Sequence, residues 1–162
     1  MSGKRAITLT DGVAASGSPR SGLEVIQGMI DGAHVSTMAT TMDCRVIEAE
    51  HGRAVIRAVP NEGFLNLHGT VHGGWAATVL DTALGCAVVT TLEPGKGTAT
   101  VELSTRFLRP IFPETGPVRA TGRVLNRGRR LVLAEGRIES EKDGKLLAQA
   151  TGTWTILEPE AK

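Results

Sequence analysis

The longest apolar segment of the chain runs from Trp75 to Leu92 and is interrupted by a single charged residue, Asp81. A segment of this length that is rich in Ala, Val and Leu predicts a buried α-helix. We place the start of the helix at or just after Gly73-Gly74. No side chain within the helix is polar enough to pair with Asp81, so burial of its ionised carboxylate costs free energy. A buried acid of this kind favours a chemical role.

One further helix and six strands are predicted around this segment. The apolar face of the short helix, which ends at Gly32, is formed by Leu23, Ile26, Met29 and Ile30. The strand segments, two before the long helix and four after it, are Met38–Ala49, Arg53–Val59, Thr98–Leu108, Val118–Asn126, Leu131–Glu139 and Leu146–Ile156. This order predicts an α+β fold, in which an antiparallel β-sheet of five to six strands wraps around a long central α-helix. Residues 1–21 lack periodicity and are expected to form a flexible N-terminal arm, which leaves residues 22–158 as a single domain.

The composition argues against several classes of function. With 162 residues, of which 41% are hydrophobic and 22% charged, the chain suits one globular domain. Its net charge is +1 and its aromatic residues are few, which argues against nucleic-acid binding. Because Asp81 breaks the best apolar window and the N-terminus lacks a signal-peptide core, we expect a cytoplasmic protein that does not enter a membrane. Cys44 and Cys86 lack the spacing of a disulfide framework or a thiol-ligated metal site.

The spacing of Gly73 and Asp81 predicts a site shared by two copies of the chain. The first backbone N–H groups of a helix have no partner within it and carry the positive end of its dipole, which suits a developing oxyanion. Gly73 and Asp81 are eight positions apart, so about 12 Å of helix separates them. One carbonyl group cannot contact both. Two such helices packed antiparallel bring Gly73 of one copy opposite Asp81 of the other, which predicts a homodimer.

The order of elements, together with Asn66, His72-Gly73-Gly74 and Asp81, resembles the hotdog-fold acyl-CoA thioesterases of the PaaI-like type. That family includes thioesterases of phenylacetic acid degradation and 4-hydroxybenzoyl-CoA thioesterases. Phe107-Leu108-Arg109-Pro110 matches the family's aromatic-x-x-Pro at the end of a strand. The resemblance covers about residues 38–157. It implies a hotdog fold, hydrolysis of acyl-CoA esters, and a homodimer that assembles further into a homotetramer.

The resemblance also assigns roles to individual residues. It makes Asp81 the general base or nucleophile and the Gly73 amide the oxyanion donor, and it places Asn66 and His72 beside the thioester carbonyl. A Ser or Thr at the start of the strand after the helix helps to place the attacking water in the family, and Thr100 occupies that position, with Thr98 as a register-compatible neighbour.

Simpler interpretations of the same residues stay open. Asp81 can be a structural acid at a helix interface, and His72 can cap the helix without moving a proton. Asn66 can brace its own loop, because Asn side chains bond to nearby backbone groups in turns. The two glycines can serve only close packing.

The chain also contains candidate residues for binding the substrate. Arginines that can meet the phosphates of coenzyme A are Arg109, Arg129 and Arg130, to which Arg106 and Arg127 can be added, although arginines at strand ends are usually solvated. We expect no metal site, because Gly69 breaks the helix that a pair of ligands at His68 and His72 would need. No cofactor is expected, since coenzyme A is part of the substrate.

Three functions are compatible with this pattern. The leading hypothesis is an acyl-CoA thioesterase acting on aryl- or fatty acyl-CoA. A hydratase or dehydratase of acyl thioesters uses the same fold but places its catalytic histidine and acid differently. The third is a non-catalytic acyl-CoA-binding or regulatory module, which has no turnover to lose when Asp81 is replaced.

Overall fold

The structure is a computed structural model that describes residues 20–32 and 36–158. Within these ranges the helices are α1 (Gly22–Ile30), α2 (Thr37–Thr41) and α3 (Gly73–Val89). The strands are β1 (Cys44–Glu50), β2 (Arg53–Ala58), β3 (Gly97–Phe107), β4 (Val118–Arg127), β5 (Leu131–Ser140) and β6 (Leu146–Leu157). The predicted N-terminal arm falls largely on residues 1–19, outside the described residues. Ser21, which was assigned to that arm, is the N-cap of α1.

All six strands join in one antiparallel sheet in the order β1-β2-β4-β5-β6-β3. Alternate side chains of β5 show how the sheet separates core from solvent. Val132, Ala134 and Ile138 are buried on one face, whereas Glu135 and Arg137 are exposed on the other. The long strand β3 lies at one edge of the sheet and β1 at the other.

Helix α3 lies against the inner face of the sheet and forms the centre of the core. Its fully buried residues are Val79, Leu80, Ala83, Leu84, Ala87 and Val88. The helix approaches β4 closely because residue 122 is a glycine: a Cβ atom there would lie 2.2 Å from the carbonyl oxygen of Ala83. One long helix against an antiparallel sheet confirms the architecture that the order of elements predicts.

One stripe of α3 is made of small or polar residues that are only half-buried. They recur at spacings of three and four along the helix: Ala77, Thr78, Asp81, Thr82 and Gly85. Asp81 therefore lies on the half-buried face of the central helix rather than on the face that forms the core.

The structure corrects the predicted start of the first strand. We assigned Met38–Ala49 to a strand, but residues 37–41 form the short helix α2 and β1 begins at Cys44. The hydroxyls of Thr40 and Thr41 donate to the carbonyl oxygens four positions earlier, which satisfies them within a helical turn. Residue 43 then takes a left-handed conformation with φ of 50°. Threonine-rich sequence supports either structure, so the pattern alone misled the prediction.

Candidate active site

His72 is the N-cap of helix α3. Its Nδ1 atom accepts a hydrogen bond of 2.8 Å from the backbone N–H of Gly74. This contact satisfies one of the donors that a helix start leaves open. The N–H of Gly73 has no acceptor among the residues that the structure describes, so it is the free donor at this helix start. The geometry supports the capping interpretation of His72 and leaves the Gly73 amide available.

Asn66 braces the loop that leads into α3. Its side-chain amide donates to the Thr70 hydroxyl at 2.8 Å, and its carbonyl oxygen accepts from the backbone N–H groups of His68 at 2.8 Å and Thr70 at 3.3 Å. The N–H of Val71 connects this loop to the segment that follows β3, because it donates to the Ile111 carbonyl at 2.8 Å. Asn66 therefore holds the backbone that presents the helix start, as the bracing interpretation predicts.

The Asp81 carboxylate accepts a hydrogen bond from the hydroxyl of Thr100, at 3.0 Å. We expected a buried Asp81 with no partner in its own helix, and only its burial differs from that expectation. Asp81 is half-buried, and its partner comes from strand β3 rather than from its own helix. The neighbouring hydroxyl of Thr98 donates to the Thr155 carbonyl at 2.8 Å instead. Of the two threonines that the sequence left open, Thr100 is the one that contacts the acid.

The predicted site residues form two separate groups within one chain. Asn66, His72 and Gly73 lie at the start of α3, whereas Asp81 and Thr100 lie about 12 Å further along it. A single chain therefore holds the free Gly73 N–H at one place and the Asp81 carboxylate at another.

A cavity of about 310 Å³ adjoins the first group. Its lining is mostly apolar and includes Gly73, Ala76, Phe107, Arg109, Ile111 and Leu147. The ring of Phe107 packs directly over Gly73, where a Cβ atom would lie 3.2 Å from the ring. A larger residue at position 73 would require this ring to shift by a few tenths of an ångström, so glycine leaves the ring in place over the helix start.

The structure separates the predicted phosphate-binding arginines. Arg109 lines the cavity beside Gly73, and its guanidinium donates to the Leu146 carbonyl at 2.6 Å. Arg129 and Arg130 are exposed in the turn between β4 and β5 and do not line this cavity. The two further arginines, Arg106 and Arg127, line a different groove on the outer face of the sheet, of about 940 Å³.

The two thiols are unsuited to nucleophilic catalysis. Burial raises the pKa of Cys44 to about 11 and that of Cys86 to about 12. A thiol attacks as its thiolate, so these residues stay protonated and unreactive near neutral pH. Both are buried and behave as small hydrophobic residues.

Comparison with known proteins identifies the family. A family model described as Thioesterase superfamily matches residues 68–147. A protein of Saccharolobus solfataricus that is named an esterase is 35% identical over 116 residues, which are 72% of this chain and 80% of that protein. The chain belongs to the thioesterase superfamily.

Two further relatives agree with this assignment. The thioesterase is similar to a crystal structure from Ralstonia eutropha JMP134, described as a thioesterase related to phenylacetic acid degradation. The TM-score is 0.73 and the identity 31%, over 80% of this chain and 98% of that one. Human acyl-coenzyme A thioesterase 13 is 28% identical over 108 residues, which are 67% of this chain and 76% of that protein.

These comparisons confirm the resemblance, the hotdog fold and the enzyme class. The thioesterase is a thioester hydrolase with a PaaI-like domain. None of its described helices has the length and hydrophobicity needed to cross a membrane. Two residues near the Asp81–Thr100 pair were not singled out from the sequence: Gly85, one turn further along α3, and Trp154, which pairs with Thr100 across the sheet. The only signal for the first was an unexplained glycine inside a helix.

Proposed function

We propose that this thioesterase hydrolyses acyl-CoA esters to a free acid and coenzyme A, in sites built from two copies of the chain. The observation that carries the proposal is the separation of the free Gly73 N–H from the Asp81–Thr100 pair along one helix. The helix start offers an N–H donor without an acid, and the Asp81–Thr100 pair offers an acid without such a donor. Because about 12 Å separates them in one chain, both can contact the same carbonyl group only if a second chain supplies one of them.

The proposed dimer joins two β3 strands edge to edge, with the α3 helices antiparallel. Strand β3 is an eleven-residue edge with an exposed Val101 at its centre, of which 61% is accessible. A long edge of this kind is a template for pairing with another chain. The small half-buried stripe of α3 lets a second helix come near. Leu67, at the tip of the loop before α3, is fully exposed, as expected of an apolar side chain that a partner covers. A tetramer stays a prediction from the resemblance.

In the proposed reaction, Gly73 of one copy donates its N–H to the thioester oxygen while Asp81 of the other acts on the carbonyl carbon. In the general-base route, Asp81 takes a proton from a water molecule that Thr100 helps to position, and the water oxygen bonds to carbon. The tetrahedral intermediate then breaks its C–S bond, and the thiolate leaves and is protonated. In the nucleophilic route, an Asp81 oxygen bonds to the carbonyl carbon, the C–S bond breaks and coenzyme A leaves as its thiolate, which is then protonated. Water then cleaves the resulting anhydride, which releases the acid product and restores the Asp81 carboxylate.

The residue types suit this chemistry. A thiol with a pKa of about 8.5 leaves far more readily than an alcohol, so little help for the leaving group is required. One oxyanion donor contributes roughly 3 kcal/mol to a transition state of this kind. Arg109, beside the cavity at Gly73, is the candidate for contact with the phosphates of coenzyme A. Arg129 and Arg130 stay secondary candidates, because they lie apart from that cavity.

The test is release of free thiol from short-chain, long-chain and aryl-CoA esters by the wild type, Asp81→Ala and Asp81→Asn. We expect turnover to collapse at least a hundredfold in both variants while their dimers and their affinity for acyl-CoA persist. If the wild type binds acyl-CoA but releases no thiol from any ester, the protein is instead an acyl-CoA-binding module.

A further inference from the structure

Gly85 lies inside helix α3, one turn after Asp81 and on the same face. Glycine is among the least favourable residues for a helix interior, so Gly85 needs a structural or functional explanation. Packing among the described residues does not supply one. Within that part of the chain, and apart from the helix's own backbone, a Cβ atom at Gly85 would have a single neighbour within 4 Å, the Nε1 atom of Trp154 at 3.7 Å, which is an ordinary contact. Gly122, by contrast, is required by backbone 2.2 Å away.

Trp154 forms the wall opposite this space. Only 2% of the residue is exposed, and it pairs across the sheet with Thr100, the residue that donates to Asp81. Its indole N–H has no acceptor among the residues in ranges 20–32 and 36–158. The indole group is a donor only. Among the described residues the one buried side-chain donor without a partner is Arg127 Nε, so the Trp154 Nε1 atom keeps accessible surface and a bound group can reach it. An open space thus adjoins the acid, with one unpaired donor at its wall.

We propose that Gly85 and Trp154 form the subsite for the acyl group, and that the indole N–H of Trp154 donates a hydrogen bond to an oxygen atom on that group. The inference rests on the proposed thioesterase function and names its substrate class. Gly85 is four positions after Asp81, so the subsite lies roughly 6 Å beyond the acid along the helix. Preferred substrates are therefore acyl-CoA esters with a hydroxyl or keto oxygen about that far from the thioester carbonyl.

Two other occupants of this space make different predictions. A water molecule bound to the indole N–H would satisfy the donor without discriminating among acyl groups. Close approach of a second α3 helix would make Gly85 a determinant of dimerisation rather than of substrate choice. The experiment separates both from an acyl subsite.

The experiment compares hexanoyl-CoA with 5-oxohexanoyl-CoA, a pair that differs by one oxygen. For the wild type we expect kcat/KM to be about tenfold higher for the oxo ester. Trp154→Phe keeps most of the ring and removes the N–H, so it should reduce that ratio to about one with little change for hexanoyl-CoA. If Trp154 affects folding alone, the variant should have a lower kcat/KM for both esters, and the ratio of the oxo ester to hexanoyl-CoA should stay at the wild-type value.

Gly85→Ala fills the space with a methyl group. We expect it to lower kcat/KM at least tenfold for both six-carbon esters, to spare acetyl-CoA, and to leave the dimer and the melting temperature intact or raised. Loss of the dimer with equal loss for all esters would assign Gly85 to the interface and overturn the subsite.

Binding to Asp81→Asn separates failure of the subsite from failure of the proposed reaction. If the wild type hydrolyses none of the short-chain, long-chain and aryl esters, the proposed function fails, and the subsite still predicts about tenfold tighter binding of the oxo ester by this variant. Equal affinities, or a wild-type ratio near one that Trp154→Phe leaves unchanged, would overturn the subsite alone.

Discussion

The Thr100 hydroxyl donates a hydrogen bond of 3.0 Å to the carboxylate of Asp81, and this contact joins the edge strand β3 to the central helix α3. The two residues are nineteen positions apart in the chain. The contact places the acid and a hydroxyl side by side at the open face of the helix. It orients the carboxylate, because an acid with a fixed donor on one oxygen presents the other in a defined direction.

Removing this donor should weaken catalysis more than folding. We expect Thr100→Ala to lower kcat/KM about tenfold and Thr100→Ser to keep most of the activity, because serine retains the hydroxyl. Thr98→Ala is the matched control, since the Thr98 hydroxyl bonds to the Thr155 carbonyl rather than to the acid. The measurement is thiol release under identical conditions. Equal losses in the two alanine variants would show that the contact to Asp81 has no special role.

The role of His72 can be tested by exchanging one helix cap for another. Its ring nitrogen accepts from the Gly74 N–H, and loss of a cap typically costs about 1 kcal/mol. We expect His72→Ala to lower the melting temperature by roughly 2–4 °C, and His72→Asn to restore it together with activity. Thermal unfolding and kcat/KM are measured on the same preparations. A stable His72→Asn variant that has lost more than a hundredfold in activity would assign proton transfer to His72.

Gly122 should be intolerant of any side chain. A Cβ atom there would lie 2.2 Å from the Ala83 carbonyl oxygen, which belongs to the backbone of α3 and cannot rotate away. We expect Gly122→Ala to lower the free energy of unfolding by about 1–3 kcal/mol, the usual cost of overpacking. Urea denaturation measures the change. Gly97→Ala is the control, because its nearest neighbour would lie at 3.6 Å; a similar loss in both variants would contradict the packing argument.

The buried thiols predict slow labelling and a sign for the pH dependence of stability. Burial raises the pKa of Cys44 from 9.0 to about 11 and that of Cys86 from 9.0 to about 12. The unfolded thiols ionise first, so they favour unfolding increasingly as the pH rises above 9 towards the native pKa values. Below pH 9 this contribution to stability is intact.

At pH 8 we expect a disulfide reagent to label both thiols rapidly in urea and at least a hundredfold more slowly in the native protein. Cys44→Ala isolates Cys86, the thiol whose pKa burial raises further, to about 12. Rapid native labelling of that variant would mean that helix α3 is not packed as described.

The β3 edge should control assembly and, through it, activity. Val101→Lys places a charge in the middle of the exposed edge, a device that natural edge strands use against pairing. We expect it to convert dimers to monomers in sedimentation experiments and to abolish turnover. Leu125→Lys on β4, which is also exposed, should leave the dimer intact. An active monomeric Val101→Lys protein would rule out the shared site.

The features that were predictable from the sequence are those set by neighbouring residues. The long apolar segment predicted α3, because eighteen residues of helical composition specify a buried helix without reference to the rest of the chain. The His72-Gly73-Gly74 motif likewise predicted the helix start, since a cap and the donors that it satisfies lie within three residues. The prediction failed at Met38–Met42, where threonines suit both helix and strand.

The tertiary structure decided which distant residues meet, and Thr100 was named beforehand only through the family resemblance. Thr100 reaches Asp81, and Trp154 reaches Gly85, only because β6 and β3 lie side by side at the end of the sheet order β5-β6-β3. A strand pattern specifies which side chains share a face, but not which strand lies beside it, because many pairings bury similar apolar area. The sequence by itself thus determined the central helix, its start and the position of its acid. The threonine beside that acid and the tryptophan beyond it depended on long-range strand pairing, whose free energy no local pattern records.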